Sequence, residues 1–230
     1  MSEKSEANPP YRRPKLGEMS ISFRSRDGSH MTSMSLVDIL RAKAEAGDAT
    51  AQFELGCMLL EGKRTEADPA AARSWFGKAA QAGHVRAKVN LGVIYERGMG
   101  VEADDREALS WYEAAAADGD LRGLYNAGVL LCAGRGCQQD LDKAAHYWGK
   151  AALRGHAPSQ ANLAQYHIHP DNPENDPATA YIWASISKDA VPESQELFDK
   201  IDAAIDDEIR ALLSGEIERI RRLIRPDPQG

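Results

Sequence analysis

A 36-residue interval runs through the middle of this chain and limits its fold more than any other feature. Gly47, Gly83, Gly119 and Gly155 are spaced by it, and so are Gly56, Gly92, Gly128 and Ala164. Asp68, Asp104, Asp140 and Asp176 keep the interval, as do Ala72, Ala108, Ala144 and Ala180. An aromatic series, Trp75, Trp111, Tyr147 and Trp183, follows it too. Several series in register mark a repeat, and repeats of this length stack so that each buries its apolar face against its neighbours. The expectation is therefore an all-α solenoid of antiparallel helix pairs.

Each repeat reads as a helix A, a glycine turn and a helix B. Asp48 and Asp120 follow a glycine and precede a helical run, where a short carboxylate accepts from the free N–H groups of the first turn. His84 and His156 stand at the equivalent point in the other two repeats. Gly62, Gly98 and Gly134 close helix A, because a glycine takes the left-handed conformation without a Cβ clash. Asp68, Asp104 and Asp140 then cap helix B, and Pro69 sits where its missing N–H does no harm. The small residues Ala51, Ala87, Gly56, Gly92 and Gly128 let helix B approach, beside Leu55, Leu91 and Leu163. Glycine inside a helix costs about 0.5–1 kcal/mol relative to alanine, so packing must offset it. The aromatic pairs Trp75–Phe76, Trp111–Tyr112 and Tyr147–Trp148 are predicted to wedge between successive repeats.

The ends depart from this pattern. Residues 1–34 read as a disordered tail: Pro9, Pro10 and Pro14 break any period, and apolar content is low. Arg12, Arg13, Lys15, Arg24 and Arg26 make its middle basic, either a solvated lead-in or an arm for an acidic surface. Leu36, Ile39 and Leu40 recur at helical spacing and read as an N-terminal cap on a solenoid of residues 35–190. The fourth copy is degraded, with Pro170 where the turn glycine belongs. His167, His169 and Asp171 raise a metal site, but a proline-rich turn seldom holds such a cluster rigidly, and no metal or other cofactor is expected. Over 191–225 an apolar stripe, Leu197, Ile201, Ile205, Ile209, Leu213, Ile217, Ile220 and Ile224, reads as capping helices divided at Ser214-Gly215. Pro226 and Pro228 end the stripe. It serves either as a cap on repeat four or as a homodimer contact.

Composition excludes some classes of function. The formal charge of −7 over 230 residues argues against a nucleic-acid partner. No apolar run reaches membrane-spanning length, so no membrane partner is expected. The first residues lack the apolar core of a secretory signal, so the expected location is the cytoplasm. The three cysteines, Cys57, Cys132 and Cys137, fall at different places in their repeats and are not a repeating staple. No nucleophile–histidine arrangement or phosphate-binding glycine loop is evident, so no catalytic residues are expected.

The stretch NLGVIYERGMGVEADDREALSWYEAAAADGD resembles the Sel-one-like repeat, a relative of the tetratricopeptide repeat. The likeness lies in Asn-Leu-Gly near the end of helix A, the Gly-x-Gly turn, the Asp, the Ala, the aromatic pair and the Ala-Ala. Copies at 46–80, 82–116 and 118–152 match well, and 154–188 matches loosely. Repeat one has Glu54 for the Asn and Lys63-Arg64 where the second turn glycine belongs. The resemblance implies a right-handed superhelix with helix A on its concave side, and a non-enzymatic adaptor or scaffold for a protein or peptide partner. Some bacterial members neutralise secreted toxins, so an immunity protein is the alternative, and a hydrolase a weaker one. A cysteine-rich branch linked to cell-wall chemistry needs a regular cysteine pair in each repeat, which this chain lacks.

A partner would meet helix A. Asn90, Asn126 and Asn162 repeat at the same interval, and an Asn side chain both donates and accepts, so it can pair with any peptide backbone. The related tetratricopeptide modules hold an extended peptide with an Asn at the matching point. Arg86, Arg97 and Arg122 lie near the same surface and can grip a carboxylate through two parallel hydrogen bonds. Val93, Tyr125, Val129 and Gln165 complete the expected wall. The competing reading gives each Asn a bond to a neighbouring helix.

Overall fold

The computed structural model describes residues 20–23, 32–173 and 175–224. They form an all-α repeat fold with one short strand pair, in two compact units, Met1–Ala82 and Gly83–Gly230. Arg12, Arg13, Lys15, Arg24 and Arg26 lie outside the described residues, as do Pro226 and Pro228.

In the first unit, strand β1 (Ser20–Phe23) pairs antiparallel with β2 (Thr32–Ser35), with Ser20 opposite Ser35. This ribbon falls in the stretch read as a tail. The Ser-Ile-Ser-Phe alternation of β1 has strand spacing, in a stretch that is otherwise low in apolar residues. Helix α1 (Leu36–Glu45) starts with a capping box: the Ser35 hydroxyl accepts from the Asp38 N–H, and the Asp38 carboxylate accepts from the Ser35 N–H, both at 3.2 Å. It packs on α2 (Ala49–Glu61), which forms a hairpin with α3 (Pro69–Gln81).

The second unit holds α4 (Val85–Arg97), α5 (Asp105–Ala117), α6 (Leu121–Ala133), α7 (Leu141–Ala152), α8 (Ala157–His167) and α9 (Pro177–Ser187). It ends with α10 (Pro192–Asp202) and α11 (Asp207–Leu223). Helices α4 and α5, α6 and α7, and α8 and α9 form hairpins, while α5 packs on α6 and α7 on α8. The caps are those the residue types require. Asp48, Asp68, Asp104, Asp120, Asp140 and Asp176 each accept a backbone N–H at a helix start. Gly62, Gly98 and Gly134 end helix A at φ of 66°, 66° and 65°.

The glycine inside each helix A has a specific neighbour. A Cβ on Gly56 would lie 2.7 Å from the Phe76 ring, one on Gly92 2.4 Å from Tyr112, and one on Gly128 2.4 Å from Trp148. The second aromatic of each pair therefore packs directly on helix A of its own hairpin. The first aromatic of the third pair reaches between repeats instead. Tyr147 packs against Ala116, Leu124 and Ala151, and its hydroxyl donates to Glu113 of the preceding repeat at 3.3 Å. In repeat four both partners have changed, and Ala164 and Ala184 are fully buried at the two equivalent places. A methyl has appeared on helix A where the ring has gone from helix B.

The C-terminal stripe docks on α9, with Tyr181, Ile182 and Ile217 buried among Phe198, Ile201, Leu213 and Ile220. Ser214-Gly215 does not divide it. One helix runs through both residues, with the Ser214 hydroxyl turned back to the Arg210 carbonyl at 2.8 Å and Gly215 in open space. The break falls instead before Asp206, whose carboxylate accepts from the Ile209 N–H at 2.8 Å.

Candidate partner-binding face

Asn90, Asn126 and Asn162 occupy the same turn of α4, α6 and α8, and all three are half-buried. Asn90 is engaged inside the protein. The amides of Asn126 and Asn162 make no hydrogen bond within the described residues, and solvent reaches them. Val93, Tyr125 and Val129 are half-buried and pack against the core, so their first role is structural. Gln165 is exposed. Arg86, Arg97 and Arg122 are exposed at the ends of α4 and the start of α6. Arg86 has a contact within the protein, and Arg122 approaches the capping Asp120 at 3.9 Å.

Two joints between consecutive A helices differ in chemistry. At the α4–α6 joint, Arg135 reaches back to the preceding repeat. Its Nη1 donates to Glu96 at 2.9 Å, while Nη2 and Nε donate to the two Asp105 oxygens at 2.6 and 3.0 Å. Glu96 also accepts from the Tyr112 hydroxyl at 2.7 Å. Burial and this acceptor push the Tyr112 phenol far above its ordinary range. Gly136 makes the approach possible, because a Cβ there would lie 2.4 Å from the Asp105 backbone.

At the α6–α8 joint, an open cavity of about 140 Å³ stands in the corresponding place. Cys132 of α6 and Leu141 and Trp148 of α7 line it, with Asn162, Gln165 and Tyr166 of α8 and His169 beyond. Its walls are almost wholly apolar. The polar ends of two rings are already used: Trp148 Nε1 donates to the Tyr125 carbonyl at 3.2 Å, and the Tyr166 hydroxyl to Asp142 at 2.8 Å. Burial pushes the Cys132 thiol up, away from the reactive thiolate. Burial also lowers His156, whose ring lies 5.2 Å from Tyr125.

Of the residues expected to form the wall, the structure brings Asn162 and Gln165 into this one cavity. It adds Cys132, Leu141, Trp148, Tyr166 and His169, none of them among the residues expected to meet a partner. The signal for them lay in the repeat itself. Cys132 and Leu141 stand 36 residues after Glu96 and Asp105, and so mark a joint where polar groups have become apolar. Among the described residues, no group of three or more His, Cys, Asp or Glu side chains is placed to hold a metal ion. No described helix is long and apolar enough to cross a membrane.

The family model for the Sel1 repeat matches residues 49–84, 85–120, 121–156 and 157–190. The chain belongs to the Sel1 repeat family. Sel1 repeat proteins generally mediate protein–protein interaction. No curated protein matches the chain. Among solved structures, it is similar to a protective antigen of uropathogenic Escherichia coli strains that displays an SLR fold. The TM-score is 0.66 at 31% identity, over 70% of this chain and 35% of that one. This Sel1 repeat chain thus spans about a third of that relative's length. It is also similar to a Sel1 repeat protein from Oxalobacter formigenes, with a TM-score of 0.68 at 25% identity, over 79% and 77% of the two chains.

Proposed function

We propose that this Sel1 repeat protein is a non-enzymatic adaptor, and that helices α4, α6 and α8 receive an extended segment of a protein partner. The observation that carries this reading is the pair of amides on Asn126 and Asn162, one repeat apart and without hydrogen-bond partners among the described residues. An Asn amide can bond both the N–H and the C=O of a peptide, whatever its side chains. Two of them at equivalent points of neighbouring helices suit a chain that runs across the repeats. The test is affinity capture from the native host with the parent chain and with Asn126→Ala/Asn162→Ala. A partner that is stoichiometric with the parent is expected to be lost from the double variant. Equal recovery on both chains removes helix A as the docking surface.

The exposed side of α11 favours self-association as a second contact. Ile209, Leu212 and Leu223 are 43%, 71% and 56% exposed. Ile209 and Leu223 lie seven residues either side of Glu216, one heptad each way. An antiparallel copy centred on Glu216 therefore sets Ile209 against Leu223, with each Glu216 already paired to Arg219 of its own helix. Sedimentation of the parent chain should show a concentration-dependent dimer that Leu212→Glu abolishes. A parent chain that stays monomeric at high concentration ends this reading.

A further inference from the structure

We propose that the open α6–α8 joint is a pocket for one apolar side chain, of leucine, methionine or phenylalanine size, carried by the segment that docks on helix A. This deepens the reading above and rests on it.

The internal repeat supplies the argument. Moving 36 residues along the chain turns Glu96, Asp105 and Tyr112 into Cys132, Leu141 and Trp148. Glu96 and Asp105 of the first trio hold the Arg135 guanidinium, with Tyr112 bonded to Glu96, so the α4–α6 joint is closed by the chain's own side chain. The second trio lines a cavity. The residue one repeat after Arg135 is Asp171, whose side chain is 75% exposed and lies beside His169 at the surface. Pro170 replaces the glycine that ends helix A in the other repeats, so the turn that delivers Arg135 has no counterpart. The joint has lost its internal plug and, at the same positions, the carboxylates that a cationic plug would need.

The chemistry of the walls selects the occupant. A cationic group would find no counter-charge in the walls, because no carboxylate is among the residues that line them. Water is held in a cavity only by several polar partners, and these walls offer few. An apolar cavity of roughly 150 Å³ admits a group of benzene size, and this one is about 140 Å³. Asn162 and Gln165 border the same space, placed to meet the backbone on either side of an inserted side chain.

The test starts from peptides selected out of a random phage-displayed library on the immobilised full chain. Two pocket variants are used: Cys132→Phe fills the cavity from the wall, and Gln165→Trp covers it from an exposed position that leaves the core untouched. Selected peptides should contain one apolar residue whose replacement by alanine weakens binding at least tenfold on the parent chain. That penalty should vanish on both variants, the signature of a shared contact. A penalty that survives both variants overturns the pocket, while the helix A reading stands if Asn126→Ala/Asn162→Ala still weakens the peptide. Peptides indifferent to the asparagines and the pocket alike overturn both readings, as does a library that yields no binder.

Discussion

Arg135 grips Asp105 with two parallel hydrogen bonds, Nε to Oδ2 at 3.0 Å and Nη2 to Oδ1 at 2.6 Å. The two residues are thirty positions apart, and the bond ties one repeat to the next. The Arg135 side chain is 40% exposed, so solvent screens it. Arg135→Met is expected to cost about 1 kcal/mol, well short of the loss from breaking a buried pair. Arg135→Lys keeps the charge but not the fork, and should recover less than half of that loss. Urea unfolding of the three proteins measures this. In 1 M salt the differences should shrink, because exposed charges are screened.

Gly128 and Trp148 form a second coupled pair. A methyl on Gly128 overlaps the indole, so Gly128→Ala should destabilise by about 1–3 kcal/mol despite alanine's better helix propensity. Trp148→Ala empties a buried site and should cost about 3–5 kcal/mol. The double variant reproduces the pair found in repeat four, Ala164 with Ala184. It should cost less than the two single losses added together, by at least about 0.5 kcal/mol. Simple additivity would mean that the ring and the methyl do not share the space.

The hairpins were legible in the sequence because their causes are local. A capping carboxylate, a left-handed glycine and a helical run of small residues act within a few positions, and each recurred. The division of labour within an aromatic pair was not legible. Spacing shows that Tyr147 and Trp148 are neighbours, but not that one turns toward Glu113 and the other toward Gly128. The break before Asp206 was missed because Ser-Gly is a stronger local breaker on composition than a lone Asp. The structure runs one helix through Ser214 and Gly215, with the Ser214 hydroxyl bonded back to the Arg210 carbonyl. The candidate site was half legible. The asparagine series stood out, whereas the cavity depends on what Glu96 and Asp105 do at the preceding joint, which no property of Cys132 or Leu141 alone suggests.

Arg64 occupies the point where the later repeats place Gly100 and Gly136, and it takes the same conformation, φ 63° against 68° and 72°. The turn geometry therefore outweighs the residue's preference. A side chain held left-handed costs about 1–2 kcal/mol, and glycine returns part of that through its freer unfolded chain. Arg64→Gly should thus stabilise the chain by up to about 1 kcal/mol. The thermal midpoint of the variant checks it. An unchanged or lower midpoint would show that the Arg64 side chain makes a contact worth as much as the strain.

The last expectation concerns alkaline pH. The Tyr181 phenol is pushed up to about 12, first by burial and then by its hydrogen bond to Asp202 at 2.7 Å. In the unfolded chain a tyrosine ionises near pH 10. The folded state thus holds this proton more tightly, so the contribution is whole below about pH 10 and is lost as the pH climbs toward 12. Tyr181→Phe lacks the titrating group. The stability difference between parent and variant should therefore be constant from pH 7 to 9 and move in the variant's favour between 10 and 12. At the acid end the sign reverses. Tyr181 and Arg210 hold the Asp202 carboxyl below its usual range, so its contribution fades as the pH falls below the unfolded value. Urea midpoints across both limbs separate the two groups, since Tyr181→Phe acts on both while Arg210→Met leaves the phenol and its alkaline step in place.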